Sequence, residues 1–227
     1  MKPNSALHLG EITTRWSCVA DINRFVLRYT PAMLAYLETI LRDADTARDV
    51  MHDFLVKIME RGFGDHEQRR GRFRDYLTVA VRNSAISYFR SRRSVSLGPD
   101  VLQQLEADGN EDVQWKAAWT ECLLHRAWRA LEDHQQTNLG NRYHSILRLS
   151  TDKPELNSEQ AAAILSESGP RLSADSFRQQ LRRARIQFAQ YLVHEIQETL
   201  DGHSRADVVD ELRSLGLLAY VRPFLER

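Results

Sequence analysis

Apolar residues recur every three or four positions along nearly the whole of this 227-residue chain. No stretch shows the alternation of apolar and polar residues that is typical of a β-strand. The three-to-four spacing is typical of amphipathic helices, which bury one face. We therefore predict an all-α fold. The helical patterns cover roughly 17–28, 31–42, 45–61, 72–92, 113–133, 141–150, 158–167, 174–200 and 205–225.

Segment 94–112, SVSLGPDVLQQLEADGNED, is weakly periodic and contains Gly, Pro and Asp, as flexible linkers do. The chain length favours two small domains over one. We expect two small helical domains, over 1–93 and 113–227, joined by the flexible linker 94–112. The second domain should contain a helix-turn-helix and end in an acidic helical tail.

The segment SADSFRQQLRRARIQFAQYL, residues 173–192, predicts the longer helix of this helix-turn-helix. Ser173 fits the N-cap position, and Asp175 suits the positive end of the helix dipole. The upstream segment SEQAAAILSES predicts a shorter helix, and the arginines of the longer one fall off its apolar stripe. A solvated Arg-rich helix on an ordinary bundle explains this pattern equally well. The apolar stripe consists of Phe177, Leu181, Ala184, Phe188 and Leu192.

The zero net charge hides a strong segregation of charge along the chain. Residues 61–93 hold nine arginines against three acids, and residues 171–185 hold five arginines against one acid. Segment 94–133 and the tail from Glu195 onward are acidic. Two basic patches suggest two contacts on a polyanion, although runs of charge are commonly no more than solvated faces.

The first basic patch, GRFRDYLTVAVRNSAISYFRSRR, interleaves aromatic residues with arginines, as proteins that bind single-stranded nucleic acid do. At least half of these aromatics are expected to be core instead, and the arginines fall off the predicted stripe. The preceding loop, GFGDHEQRRGR, is predicted to be exposed and free to receive a flipped base. The predicted apolar stripe consists of Phe73, Leu77, Ala80 or Val81, Ser84 or Ala85, and Tyr88.

Other function classes leave no signal in the sequence. No run approaches eighteen apolar residues, and the N-terminus lacks a signal-peptide core, so we expect a cytoplasmic protein without a membrane segment. Cys18 and Cys122 are predicted to be buried, reduced thiols. The eight histidines show no ligand spacing, so no metal, cofactor or enzymatic activity is predicted. Trp115 and Trp119, four residues apart, are expected to be a packing pair.

Three motifs, in order, resemble those of the extracytoplasmic-function (ECF) sigma factors of bacterial RNA polymerase. DTARDVMHDFLVKIMER resembles the family's acidic polymerase-binding helix, written around D-x-x-Q-E-x-F. FRDYLTVAVRNSAISYFRSRR is similar to its −10 helix, and SADSFRQQLRRARIQFAQYL to its −35 recognition helix. TRWSCV and the acidic tail resemble a planctomycete-like subgroup.

This resemblance implies a protein that directs promoter recognition and transcription initiation, with core RNA polymerase and promoter DNA as partners and no catalysis of its own. It implies polymerase binding by Asp49, His52 and Asp53. It implies contacts with the −10 element by Arg72, Arg74, Tyr76, Arg82, Asn83 and Arg90. It implies contacts with the −35 element by Ser176, Arg178, Gln179, Arg182, Arg183 and Arg185.

The chain also departs from the family pattern. His52 occupies the usual Gln position, Ser87 replaces a frequent Asp, and the turn SESGPRLS is longer than the tight turn expected. Some family members are switched on by phosphorylation, which makes Thr46 a candidate phosphorylation site; a plain N-cap role for Thr46 or Asp45 is the favoured alternative. A serine/threonine kinase and an anti-sigma factor are candidate partners. The alternative function is a stand-alone helix-turn-helix regulator that binds duplex DNA, usually as a symmetric dimer.

Overall fold

The computed structural model describes residues 22–61, 73–91, 113–138, 140–200 and 204–225. Every regular element in these ranges is an α-helix, which confirms the all-α prediction. The helices are α1 (Ile22–Leu41), α2 (Ala44–Arg61), α3 (Phe73–Ser91), α4 (Val113–Thr137), α5 (Tyr143–Asp152), α6 (Ser158–Glu167), α7 (Ala174–Gln197), α8 (Arg205–Ser214) and α9 (Leu218–Leu225).

The first two predicted helices, 17–28 and 31–42, are joined in one helix, α1, which runs through Pro31. The prediction of a break was wrong because the helix buries residues on both sides of the proline, including Tyr29 and Met33. Pro31 removes one backbone donor, and its ring disfavours the preceding turn. The Leu27 carbonyl, four residues back, is the acceptor that loses its bond. Leu27 is 76% exposed, so it lies on the outer side of the helix. The helix continues because burial of its apolar face, which includes Tyr29 and Met33, outweighs the local cost of Pro31.

The predicted C-terminal helix 205–225 is interrupted, and forms α8 and α9. Gly216 has a φ of +72°, a left-handed conformation that glycine adopts without steric cost. The Gly216 amide donates to the Arg213 carbonyl at 3.1 Å, and the Leu217 amide donates to the Leu212 carbonyl at 2.8 Å. This bond pattern is the Schellman motif that ends a helix. A glycine after an apolar periodic run was the signal that the continuous prediction overlooked.

The chain divides into two compact units, residues 1–122 with 197–208 and residues 123–196 with 209–227. The predicted linker 94–112 lies outside the described residues and stays a prediction.

The core of the first unit forms where α1 packs against α2 and α3. Met33, Tyr36 and Leu37 of α1 are buried there. Trp119 stacks on Tyr29 with ring centroids 5.5 Å apart, and Trp115 meets the Tyr36 ring edge-on at 5.3 Å. The two tryptophans are therefore a buried packing pair, as expected.

The predicted apolar stripe of α3 is largely confirmed, and α2 buries a stripe of its own with the same helical spacing. Leu55 is half-buried, and Cys122 is a half-buried free thiol, not a buried one as predicted. Cys18 lies outside the described residues, and the side chain of Phe73 is not among those described. The buried members of these two stripes are Val50, Phe54, Ile58, Leu77, Val81, Ser84, Ala85 and Tyr88.

In the second unit, two clusters of buried side chains hold the helix-turn-helix together. One cluster joins α5, α6 and α7 through Ile146, Leu165 and Phe177. The other joins α4, α5 and α7 through Leu131, Leu147 and Ala184. The predicted stripe of α7 is confirmed, since Phe177, Ala184 and Leu192 are buried and Leu181 and Phe188 pack against the clusters.

Candidate nucleic-acid and polymerase interface

Helix α7 begins where the sequence predicted. The Ser173 hydroxyl oxygen accepts a hydrogen bond from the Ser176 amide at 3.1 Å, which is the N-cap contact. The Ser173 hydroxyl also donates to the Ser176 hydroxyl at 3.0 Å. Ser176 is half-buried and engaged with the cap. The next residue, Phe177, is buried, and Arg178 and Gln179 after it are exposed.

The remaining predicted −35 residues of α7 are all exposed: Arg178, Gln179, Arg182, Arg183 and Arg185. Arg178 forms an ion pair with Asp175, one turn earlier. Both partners are exposed, so this pair contributes little stability and can be exchanged for a phosphate. Arg182, Arg183 and Arg185 have no ion-pair partner within the described part of the chain. The helix therefore presents a basic surface in its first three turns.

The turn between α6 and α7 is held by Arg142, a residue that the sequence did not single out. The Arg142 guanidinium donates to the Leu165 carbonyl at 2.6 Å and to the Ser168 hydroxyl at 3.4 Å, at the C-terminal end of α6. Its backbone amide donates to the Gln180 side-chain carbonyl of α7 at 3.0 Å. One residue at the start of α5 thus binds both helices of the pair.

A second contact closes the same turn. The Ser166 hydroxyl donates to the Ala162 carbonyl at 2.7 Å and accepts from the Leu172 amide at 2.9 Å. A Cβ on Gly169 would lie 3.0 Å from the Arg142 guanidinium, so the glycine leaves room for this clamp. The long turn between α6 and α7 is therefore braced at both ends.

The predicted −10 residues separate into two groups on α3. Asn83 and Arg90 are exposed and seven residues apart, hence on one helix face, and Tyr76 lies half-buried on that same face. The Arg82 guanidinium, in contrast, donates to the Tyr36 hydroxyl of α1 at 2.8 Å and is half-buried. Arg72 lies outside the described residues.

Arg74 requires a correction, because the prediction that it falls off the buried stripe is wrong. Its side chain is 2% exposed, and its Nε lies 3.4 Å from Asp75. Position 74 lies three and seven residues before the fully buried Leu77 and Val81, so the helix turns it inward. In this structure the Arg74 guanidinium is not accessible to a phosphate.

The start of α2 is capped by neither Thr46 nor Asp45, but by Asp43. The Asp43 carboxylate accepts hydrogen bonds from the Thr46 amide at 3.2 Å and from the Thr46 hydroxyl. The side-chain bond from Thr46, then the backbone bond, lowers the pKa of Asp43 below its ordinary value. Asp45 instead pairs with Arg48 at 2.6 Å. The predicted N-cap lay too far along the chain, because α2 already begins at Ala44.

The polymerase residues predicted on α2 share its outer surface. His52 is 79% exposed, and its Nδ1 lies 4.0 Å from the half-buried Asp53. Asp49 is exposed, yet its carboxylate accepts a hydrogen bond from the Tyr88 hydroxyl of α3 at 2.9 Å. Farther along α2, Val56 and Met59 are exposed apolar side chains that the sequence did not single out. We call the surface formed by these five α2 residues the outer face of α2.

Comparison with known proteins identifies the first part of the chain. Residues 25–95 match the family model described as Sigma-70 region 2. This range takes in most of α1 and all of α2 and α3, and it does not reach the helix-turn-helix. No curated protein and no solved structure shows a significant match to the chain. No helix within the described ranges combines the length and the apolar character that a membrane crossing needs.

Proposed function

Because residues 25–95 form a Sigma-70 region 2 domain, a domain of RNA polymerase binding and promoter recognition, we propose that this chain is an ECF-type sigma factor. It binds core RNA polymerase and directs promoter recognition and transcription initiation. The region 2 match is the observation that carries this proposal. The planctomycete-like subgroup is part of the same proposal and rests on TRWSCV and the acidic tail.

The outer face of α2 supports the polymerase contact. Asp53 and His52 are accessible there, and Asp49 is accessible on the edge that contacts α3. Carboxylates on an exposed face steer and hold a basic partner surface. Val56 and Met59 add exposed apolar area on the same helix, which suits a contact with a hydrophobic centre and a polar rim.

The exposed face of α3 supports contact with the melted −10 strand. Asn83 supplies an amide that can pair with a base edge, and Arg90 supplies a cation for the backbone. Tyr76, on the same face, has a ring on which a base can stack. Arg82 and Arg74 act instead through the packing of α3, since both are directed into the unit.

The braced α7 supports contact with the −35 major groove. Arg178, Gln179 and Arg182 lie within its first three turns, at the N-terminal part of a recognition helix that meets base edges. Arginine pairs bidentately with guanine and glutamine with adenine, while Arg183 and Arg185 hold phosphates. In this proposal 113–227 is the −35-binding domain, 94–112 is the linker, and the chain is a cytoplasmic protein without catalytic activity.

Regulation by phosphorylation at Thr46 is a finer proposal, with a serine/threonine kinase as partner. The Thr46 hydroxyl donates to Asp43, so a phosphate there removes that bond and sets a charge of about −2 against the carboxylate. The positive end of the α2 dipole opposes this repulsion. Equal polymerase affinity of wild type, Thr46→Ala and Thr46→Glu, with and without kinase, would remove the switch. An anti-sigma factor is the other regulatory partner proposed, on the resemblance alone.

The experiment is co-purification of the full chain with core RNA polymerase, beside a duplex-binding assay of the chain alone. We expect stoichiometric binding to polymerase, which weakens sharply in Asp53→Ala, and weak binding to duplex DNA. The matched control is Asp152→Ala, which removes an exposed carboxylate on α5, in the second unit. Tight, specific duplex binding by the chain alone, with no polymerase binding, would favour the stand-alone helix-turn-helix regulator instead.

A further inference from the structure

A cavity of about 580 Å³ lies in the second unit, between α4, α5, α7 and α9. Pockets that bind small molecules are typically about 300–1,000 Å³ and mostly apolar, with few polar groups. Four aromatic rings line this cavity, together with aliphatic side chains such as Leu147 and Leu192. The rings belong to Trp128, Phe188, Tyr220 and Phe224.

One lining residue is charged. Arg185 lines the cavity and is exposed, and it has no ion-pair partner among the residues that the structure describes. Two other arginines of the second unit differ from it, since Arg148 pairs with Asp152 at 3.1 Å and Arg178 pairs with Asp175. Arg185 therefore brings an uncompensated positive charge to the rim of an apolar space.

The remaining polar contribution from the wall is small. The Thr151 hydroxyl already donates to the Leu147 carbonyl at 2.8 Å, so it can serve a ligand only as an acceptor. Arg185 is exposed, so solvent screens its charge, and its preference for an anion comes from direct charge-assisted hydrogen bonds to a carboxylate. The apolar walls favour a ligand whose remaining surface is hydrocarbon.

From this arrangement we propose that the cavity binds a single-chain amphipathic anion, with its hydrocarbon tail among the aromatic rings and its carboxylate on the Arg185 guanidinium. Trp128 lines the cavity with its ring centroid 4.9 Å from that of Phe188. The site requires only the second unit, and it does not depend on transcription or on the region 2 domain.

A consequence for regulation rests on the proposed function. Arg185 is also one of the cations proposed to hold promoter phosphates, so a bound carboxylate neutralises it. The ligand then lowers −35 affinity without touching Arg178 or Arg182. Direct ligand binding by the chain, measured without DNA, distinguishes failure of the cavity proposal from failure of the promoter proposal.

The test is isothermal titration calorimetry of the full chain with decanoate, decanol and decyltrimethylammonium, each below its micelle concentration. We expect saturable decanoate binding at one molecule per chain, weaker decanol binding and no binding of the cationic amphiphile. Arg185→Gln should weaken decanoate roughly tenfold or more, the loss of a charge-assisted contact, and leave decanol unchanged. Arg129→Gln, an exposed arginine of α4 that does not line the cavity, should leave both unchanged.

A cavity-filling variant tests the tail site. Ala189 is buried in the wall, and Ala189→Phe should weaken decanoate and decanol alike while circular dichroism shows an unchanged helical fold. The proposal is overturned if wild type shows no saturable decanoate binding, if Arg185→Gln binds decanoate as wild type does, or if decyltrimethylammonium binds equally well.

Discussion

The buried Tyr88 hydroxyl donates a hydrogen bond to the exposed Asp49 carboxylate at 2.9 Å, and so joins α3 to α2. Asp49 is therefore part of the packing of the first unit as well as a proposed polymerase contact. Asp53, one turn later on the same helix, has no such link to α3 among the described contacts. The two carboxylates, which are equivalent in the sequence pattern, differ in what their removal does.

Substitution at this pair separates the two roles. Tyr88→Phe should lower the free energy of unfolding by about 1–2 kcal/mol, because it removes a hydrogen bond to a charged acceptor. Asp53→Ala should change stability by less than about 0.5 kcal/mol, because the Asp53 side chain is 43% exposed and its described ion-pair contact, to His52 at 4.0 Å, is weak. Urea unfolding followed by circular dichroism measures both. A Tyr88→Phe protein as stable as wild type would mean that the Tyr88 bond contributes nothing.

The Asp43 cap predicts an acid-sensitive start of α2. The pKa of Asp43 is lowered in the folded state, so the cap stabilises the fold above the ordinary aspartate pKa of about 4. That stabilisation is lost as the pH falls below this value, through the folded pKa. Asp43→Ala should therefore be less stable than wild type at neutral pH, and the difference should shrink toward pH 2. A difference that stays constant across a urea-unfolding series from pH 7 to 2 would contradict the role of the Asp43 charge.

Arg42 offers a stabilising substitution. It is the non-glycine residue with a positive φ, 54°, at the end of α1 among the described residues. The left-handed conformation costs a residue with a Cβ about 1–2 kcal/mol, and glycine avoids that cost. Arg42→Gly should raise the free energy of unfolding by about 0.5–1 kcal/mol. Arg42→Ala, which removes the side chain but keeps the strain, should give no such gain in thermal or urea unfolding.

The Arg142 clamp predicts that a residue outside the proposed set of DNA contacts affects promoter binding. Arg142→Ala should cost about 1–3 kcal/mol of stability and weaken promoter binding, because it frees the end of α6 from the start of α5. Arg142→Lys should restore little, since a single ammonium cannot reproduce the planar fork. Unchanged −35 affinity in a folded Arg142→Ala protein would show that the long turn orients α7 without the clamp.

Two exposed arginines of α7, Arg182 and Arg183, are expected to contribute to promoter binding in different ways. Arg182→Ala should cost about 1–3 kcal/mol in promoter binding and relax preference at one −35 position if Arg182 contacts a base. Arg183→Ala should weaken DNA binding by about the same factor whatever the −35 sequence, and it should reduce the salt dependence of binding. Selection from a randomised −35 library, read by sequencing at two salt concentrations, distinguishes these outcomes. Identical sequence preference in both variants would exclude Arg182 as a base-reading residue.

Helical periodicity was sufficient for the helix type and for most buried faces. The stripe of α7 and its Ser173 cap were predicted because a cap residue and a three-to-four spacing are local signals. The course of α1 through Pro31 was not, because tertiary burial there overrides a local breaker. The packing of Trp115 and Trp119 on α1 was also beyond a local pattern, since it depends on contacts between distant segments.

The candidate sites were predictable only as surfaces, not as individual roles. Charge counts identified α3 as basic, but the inward turn of Arg74 depends on which helix face the core takes. The Arg142 clamp joins residues more than twenty positions apart, so no local spacing could indicate it. The −10 loop 62–72 and the linker 94–112 lie outside the described residues and remain predictions.

Run-off transcription with purified core RNA polymerase tests the central claim most directly. The template is selected from genomic fragments that the chain and core polymerase bind together. We predict transcripts from a defined start site when the chain is added, none from core polymerase alone, and a strong reduction with Asp53→Ala, whose stability is expected to match wild type. The absence of any start-specific transcript, with a folded chain and active core polymerase, would contradict the assignment as a sigma factor.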